Sequence, residues 1–393
     1  MDIHNYKRRL ERTLNKIEKS AISDKNKKLV LGFHDNCFTE GLSLPKIERY
    51  LFDLHKLAEM IGKDMSKATK QDLQKIVAEI EKKQWSPHTK HAFKIMIRKF
   101  FRWVEGIDEK GVYPERVKWL HSNIKNNQQK LPGELLNEDE VGKMICCADN
   151  PRDRALVAIL YESGCRISEI GLLKIKDIAS DEYGVKIMVA GKTGARRVRL
   201  VNSAPVLQDW LNKHPDNKNP DSYMWVGKNR RIIGYTRFSE IIKSIALKAG
   251  IRKRIYPHLF RHSRATHLAK FLTEAQMKDY LGWTQSSKMA AIYVHLSGRD
   301  TDVAILRLNG IKVQEEAQEK KLQLRICPRC KTVNEFSNKF CKTCGMVIDE
   351  QEKQEIMRHD LKRSEMDGLM NDLIKDKEFL EFMLRKIREK SAQ

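Results

Sequence analysis

Two sets of residues in this 393-residue chain could do chemistry. The first is four cysteines in two C-x-x-C turns, Cys327-Pro-Arg-Cys330 and Cys341-Lys-Thr-Cys344, with ten residues between the turns and Gly345 after the second. Two such turns bring four thiolates onto one tetrahedral ion, and a segment this short has little core of its own without one. Protein fills all four positions, so the expected role is structural: one Zn2+ per chain on Cys327, Cys330, Cys341 and Cys344. The second set is strung along one stretch: Arg166 in YESGCRISEI, Lys192 in GKTGARRV, His258 and Arg261 in HLFRHS, Trp283 after Leu-Gly, and Tyr293 in IYVH. Each alone has an ordinary explanation. Arg166 opens a helix, Lys192 tops a hairpin, and His258 and Arg261 share a helical face as many surface residues do. Their order within one domain is what is specific.

The elements that must position these residues can be read from periodicity and caps. Ser43 followed by LPKIERYLFDLHKLAEMI puts Ile47, Tyr50, Leu51, Leu54, Leu57, Ala58 and Ile61 on one stripe, an amphipathic helix. A second helix begins near Thr69, and a third has Ser86 as cap and Pro87 at its first position. The polar run IKNNQQKLPGE marks a boundary, with a new helix start at Asn137. Beyond it, RDRALVAILYES and RISEIGLLKI read as helices meeting at Gly164. YGVKIMVA and ARRVRLV then read as a hairpin around Gly191-Lys192-Thr193-Gly194, and the chain is helical again to about residue 310. The expected fold class is mainly α with a small β-sheet. The expected divisions are a basic N-terminal segment (1–25), a helical bundle (26–128), a domain carrying the second set (129–312), the cysteine segment (325–347) and a helical tail (350–393).

Charge points to a partner. The chain carries 75 Lys and Arg against 52 Asp and Glu, a net +23. Residues 313–393 hold 17 basic and 16 acidic side chains, which leaves +22 on the first 312 residues. A field of that size without an amphipathic membrane-surface helix suits a polyanion such as double-stranded DNA. The first residues are too charged for a signal peptide, and no run approaches the roughly 18 apolar residues of a membrane span. Cys37, Cys146, Cys147 and Cys165 are scattered, as in a reducing compartment, so a cytoplasmic protein without disulfides is expected.

The second set, taken in order, resembles the tyrosine recombinase (phage integrase) family, especially its archaeal integrase and Xer-like members, over roughly residues 25 to 310. The resemblance implies a helical core-binding domain, a catalytic domain with a small sheet, and cleavage and rejoining of DNA through a 3′-phosphotyrosyl intermediate. Arg166 and Arg261 match the two family arginines, and guanidinium is suited to them because it is permanently charged and binds two phosphate oxygens at once. Tyr293 matches the nucleophile. His258 matches a residue that can accept its proton, Lys192 the hairpin lysine that can protonate the departing 5′-oxygen, and Trp283 a position that packs and donates its indole N–H to phosphate. Glu169, one turn after Arg166, is in place to orient that arginine. Such transesterification conserves bond energy and needs neither ATP nor a catalytic metal. It also implies a tetramer on paired DNA sites. The alternatives are a type IB-like topoisomerase and a non-catalytic DNA-binding relative.

Some features depart from the family pattern. Trp283 replaces the commoner histidine, and Tyr293 follows it by ten residues rather than nine. Tyr280 is a rival nucleophile, expected to face the core. His262 and His267 are expected to be packing or capping residues, and His295 is unassigned. The cysteine segment resembles a zinc ribbon, which is not a usual part of the family. It is expected to be independent, so that a chain ending near residue 312 still folds and cleaves. The tail stripe Leu369, Leu373, Ile374, Leu380, Phe382, Met383, Leu384 and Ile387 is a candidate protein contact.

Overall fold

Helices begin where the chain supplies caps. Thr69 and Asp72 form a reciprocal capping box at one start and Asn137 and Glu140 at another, while Ser86 Oγ accepts from the Thr89 N–H. The computed structural model describes residues 2–109, 111–121, 132–191, 193–296, 305–306, 308–310 and 322–391. They divide into two units, Met1–Leu131 and Pro132–Gln393.

The first unit contains α1 (Tyr6–Glu18), α2 (Asp24–Thr39), α3 (Leu44–Ile61), α4 (Lys70–Lys82), α5 (Pro87–Val104) and the short α6 (Glu115–Lys118). Its core is built on Phe33, Leu51, Leu54, Phe93, Phe100 and Phe101, with Phe33 and Phe100 edge to face at 5.4 Å. The N-terminal residues are more than a basic segment. They form α1, which buries Leu10 and Ile17 and pairs Arg9 with Glu48 of α3, so the bundle starts before residue 26. Leu10, Leu14 and Ile17 have the helical spacing that makes this possible.

In the second unit, α7 (Glu138–Cys146) packs on α8 (Pro151–Ser163), a central helix buried from Ala155 to Ser163. The helix expected over RISEIGLLKI is only α9 (Ile167–Gly171). It stops because Leu173 and Lys174 turn away to pair with the 223–224 segment, through Met224 N–H to Leu173 O and a bridge from Lys174 to Tyr223. A strand unforeseen in the sequence follows, β1 (Ile178–Asp181), antiparallel to β2 (Gly184–Gly191), which pairs with β3 (Gly194–Leu200) as the expected hairpin. Val185, Ile187 and Val189 alternate inward on β2 and are buried with Val198 and Leu200 of β3. The helices α10 (Ala204–Lys213), α11 (Tyr235–Lys248), α12 (Pro257–Leu268), α13 (Glu274–Leu281) and α14 (Met289–Leu296) complete the domain.

After it come the short pair β4 (Arg325–Ile326) and β5 (Val333–Asn334), then α15 (Glu350–Ile374) and α16 (Lys377–Ser391). The tail is thus two helices. Asp376 breaks the expected single stripe by accepting the Glu378 and Phe379 N–H groups at the start of α16. Leu369, Leu373, Phe382 and Leu384 are exposed.

Candidate active site

The end of α8 and the hairpin meet at a carboxylate. Glu169 is buried, and its Oε2 accepts the backbone N–H of Arg166 at 2.8 Å, which caps α9, while its Oε1 accepts Arg166 Nη1 at 2.8 Å. Arg196, reaching across from β3, donates Nη1 to Oε1 and Nη2 to Oε2, both at 3.0 Å. Burial acts to raise the Glu169 pKa, but the hydrogen bonds and charge from Arg196 and Arg166 outweigh it and hold the carboxyl below its ordinary range, so it stays ionised. Arg166 keeps 29% of its side chain exposed, enough to meet a ligand.

Arg261 on α12 is buried, donating Nη1 to Gly164 O at 2.9 Å and Nη2 to Leu281 O at 2.7 Å, with its guanidinium carbon 5.3 Å from the centre of the Trp283 ring. Burial, with the nearby positive charge of Arg166, lowers its pKa to about 10, so it remains a cation at neutral pH. Arg166 and Arg196 bond to Glu169 and Arg261 feels its charge, so among the described residues here three guanidinium groups stand against one carboxylate. A buried excess of positive charge is a site that gains from an anion.

Tyr293 lies on α14, which docks on its own domain through Ala290 and Tyr293 against Ala265, Met277 and Leu281. The tyrosine is 4% exposed, and its ring stacks on Trp283 with centroids 5.5 Å apart and planes 7° from parallel. Its hydroxyl is hydrogen-bonded to Nδ1 of His262. Burial, opposed by the Arg261 charge, pushes the phenol up to about 12, so it needs a base to become a nucleophile at neutral pH.

The histidine in contact with the phenol is not the one the sequence reading placed there. His258, the residue expected beside the phenol, is exposed one turn earlier on α12, its ring edge-on to His262 at 5.0 Å, and His262, expected to be a packing residue, holds Tyr293. Their spacing of four puts both on one helical face, a signal that could have raised His262 as a candidate. Tyr280 is turned elsewhere: its hydroxyl donates toward Glu162 O at 3.1 Å and Arg199 O at 3.3 Å. His267 lies 3.6 Å from Glu138 Oε1 and beside the Tyr161 and Phe271 rings, and burial lowers its pKa to about 4. Lys192 and the side chain of His295 lie outside the described residues. The neighbours of Lys192 are at the site: Thr193 Oγ1 donates to Gly282 O at 3.1 Å, and Gly191 lies so close to Glu169 that a Cβ there would stand 2.4 Å from Oε1. Arg196 was not among the residues singled out from the sequence.

Comparison with known proteins shows the same architecture. Residues 134–299, which hold all of the groups just described, match the model of the Phage integrase family. The chain is 29% identical over 237 residues to the tyrosine recombinase XerA of Pyrococcus horikoshii, covering 58% of this chain and 75% of that protein. It is 28% identical over 275 residues to XerD of Listeria innocua, covering 66% and 90%. The chain carries a phage integrase family domain over residues 134–299 and is similar to tyrosine recombinases. Its fold is also that of the XerH site-specific recombinase bound to palindromic difH substrate in a post-cleavage complex, at TM-score 0.55 and 20% identity, covering 78% of this chain and 97% of that one. The lambda integrase tetramer bound to a Holliday junction aligns with TM-score 0.55 at 14% identity, over 70% and 78%.

Beyond the region of this recombinase family match, the sulfurs of Cys327, Cys330, Cys341 and Cys344 all lie within 4.8 Å of one another. The two turns are built alike: Lys331 N–H bonds back to Cys327 O and Gly345 N–H to Cys341 O, both at 2.9 Å, and the residue after each second cysteine has positive φ, 60° at Lys331 and 70° at Gly345. Backbone N–H groups of Thr343 and Cys344 turned toward the Cys341 sulfur lower its pKa, and Asn334 Nδ2 lies 3.7 Å from it. Four convergent soft donors, one favoured as thiolate, suit a metal ion such as zinc. The knuckle is not independent of the catalytic domain. Leu322 is buried, and both Leu322 and Phe336 lie at 3.4 Å from where a Cβ on Gly142 of α7 would stand. The two hydrophobic side chains therefore seat the cysteine segment on this helix.

Proposed function

We propose that this recombinase cleaves and rejoins DNA strands at specific sites through a 3′-phosphotyrosyl intermediate on Tyr293. The observation that carries the reading is the Tyr293 hydroxyl, held by His262 within a domain that buries Arg261 beside Arg166 and leaves their charge unbalanced. Arg166 and Arg261 would bind the non-bridging oxygens of the scissile phosphate and stabilise the pentacoordinate transition state. As the Tyr293 oxygen forms its bond to phosphorus, its proton passes to His262, with His258 alongside. The bond from phosphorus to the 5′-oxygen breaks, and that oxygen takes a proton from Lys192, whose sequence neighbour Thr193 is fixed to Gly282. Trp283 holds the nucleophile in place through its stacked ring. Rejoining is the same exchange reversed, and the phosphotyrosyl ester conserves the bond energy it needs.

Because α14 packs within its own domain, Tyr293 is proposed to serve the site of its own chain. The partners are double-stranded DNA and further copies, as a tetramer on paired sites, with the exposed stripe of α15 and α16 as a contact. One structural zinc on the four cysteines is proposed, and action in the cytoplasm on DNA. Among the described residues no helix is long and apolar enough to cross a membrane.

The test is covalent trapping on a labelled suicide substrate resolved on a denaturing gel. Wild type should give the adduct, and Tyr293→Phe should give none while binding DNA equally. An adduct persisting in Tyr293→Phe would move the nucleophile to another tyrosine.

A further inference from the structure

We infer that Arg196 is a positioning residue for strand cleavage, setting Arg166 through Glu169. This rests on the proposed recombinase chemistry. A single carboxylate cannot orient Arg166 unless it is itself fixed, and within α9 the Glu169 oxygens bond only to Arg166, the residue to be oriented. Arg196 fixes the carboxylate by taking both oxygens in the paired, two-bond geometry that makes guanidinium and carboxylate the most directional of ion pairs. Two further donors are also committed: Nε to Tyr280 O at 3.0 Å, and Nη2 also to Cys165 Sγ at 3.3 Å. The side chain is 10% exposed, so it has little surface to offer a ligand directly. It therefore acts on phosphate through Arg166, whose guanidinium keeps more of its surface open.

Two glycines show that the space is built for this contact. A Cβ on Gly282, which has φ 65°, would lie 2.5 Å from Arg196 Nη1, and one on Gly191 would lie 2.4 Å from Glu169 Oε1. Arg196 thus ties the hairpin, α9 and the turn that carries Trp283 to one carboxylate. Lysine could not replace it, because one ammonium cannot span both Glu169 oxygens and also reach the Tyr280 carbonyl.

The test measures single-turnover cleavage of a suicide substrate by Arg196→Met, Arg196→Lys, Glu169→Gln and the double variant Glu169→Gln/Arg196→Met, with DNA affinity and thermal melting followed in parallel. Arg196→Met should cleave about 10²-fold more slowly with affinity changed less than about threefold, as expected when transition-state charge stabilisation is lost without ground-state binding. Arg196→Lys should be intermediate. The double variant should be no slower than Arg196→Met, because residues acting in one chain of contacts do not add their losses. On a substrate whose scissile phosphate is a neutral methylphosphonate, the defect should shrink, since Arg166 then has less charge to neutralise. A merely structural role would slow both substrates equally. Wild-type rate in Arg196→Met, multiplied losses in the double variant, or an undiminished defect on methylphosphonate would each overturn the inference. If Arg196→Met fails to fold, Arg196→Lys carries the same comparisons. Absence of an adduct from wild type itself would instead defeat the recombinase reading.

Discussion

The phenolic oxygen of Tyr293 is hydrogen-bonded to Nδ1 of His262, a residue one position after the buried Arg261. A phenol pushed up to about 12 by burial gives up its proton at neutral pH only to a base already in contact. His262→Asn should therefore slow single-turnover cleavage by about 10²-fold, the ordinary worth of a general base, and His258→Asn by less. The reverse order would return proton acceptance to His258.

Several features were legible in the sequence because they are local. Ser86 and Pro87 open α5, and Asn137 opens α7, since a cap needs only its own first turn. The β2–β3 hairpin follows from alternating apolar residues around a Gly-rich tip. The features that escaped depend on contacts far apart in the chain. Nothing in GARRVRL says which of its arginines faces a carboxylate 27 residues earlier, so Arg196 was invisible until β3 lay beside α9. The choice between His258 and His262 needed the position of α14, and the seat of Phe336 on Gly142 joins segments almost 200 residues apart.

The two arginines proposed to bind phosphate should fail in different ways. Arg166→Ala and Arg261→Ala should each lower cleavage by about 10²-fold or more while changing DNA affinity little. Arg261→Ala should also leave the Gly164 and Leu281 carbonyls buried without donors, at about 1–3 kcal/mol for each group so stranded. The partly exposed Arg166 leaves no such pair, so only the Arg261 variant should melt markedly earlier. Losses of binding in proportion to rate would reduce both to ordinary phosphate anchors.

His267 predicts a limit on acid stability. Burial lowers its pKa to about 4, with Arg264 and Lys270 adding repulsion, while Glu138 lies 3.6 Å away and would favour the charged form. The unfolded chain takes up this proton near pH 6.5 and the folded chain only near 4, so the unfolded state binds more protons between these values. Stability should fall as pH drops from about 6.5 to 4, by at most about 3 kcal/mol, and level off below. His267→Gln should flatten that part of a denaturant-midpoint profile. An unchanged slope would assign the acid sensitivity to other groups.

The cysteine segment was expected to be dispensable for folding of the catalytic domain, and its seat on α7 predicts otherwise. Leu322 and Phe336 cover Gly142 and, with Val141, Ile145, Tyr161 and Val206, line a cavity of about 30 Å³ between the segment and α7, α8 and α10. Just beyond, Glu335 is half-buried near Arg154 of α8 and Asp209 of α10, and burial raises its pKa. If a metal organises the two cysteine turns, then chelation loosens the backbone that presents Leu322 and Phe336, and apolar surface on α7 returns to water. A chain ending near residue 312 should then fold with a catalytic domain destabilised by about 1–3 kcal/mol, the cost of uncovering one or two large side chains. Phe336→Ala should reproduce part of that loss with all four cysteines intact, and chelation should add little to the truncated chain. Elemental analysis of protein purified without chelator, with melting curves for the full chain, the truncation and Phe336→Ala before and after chelation, decides it. One zinc per chain with a melting temperature indifferent to both truncation and chelation would show the ribbon resting on α7 without supporting it.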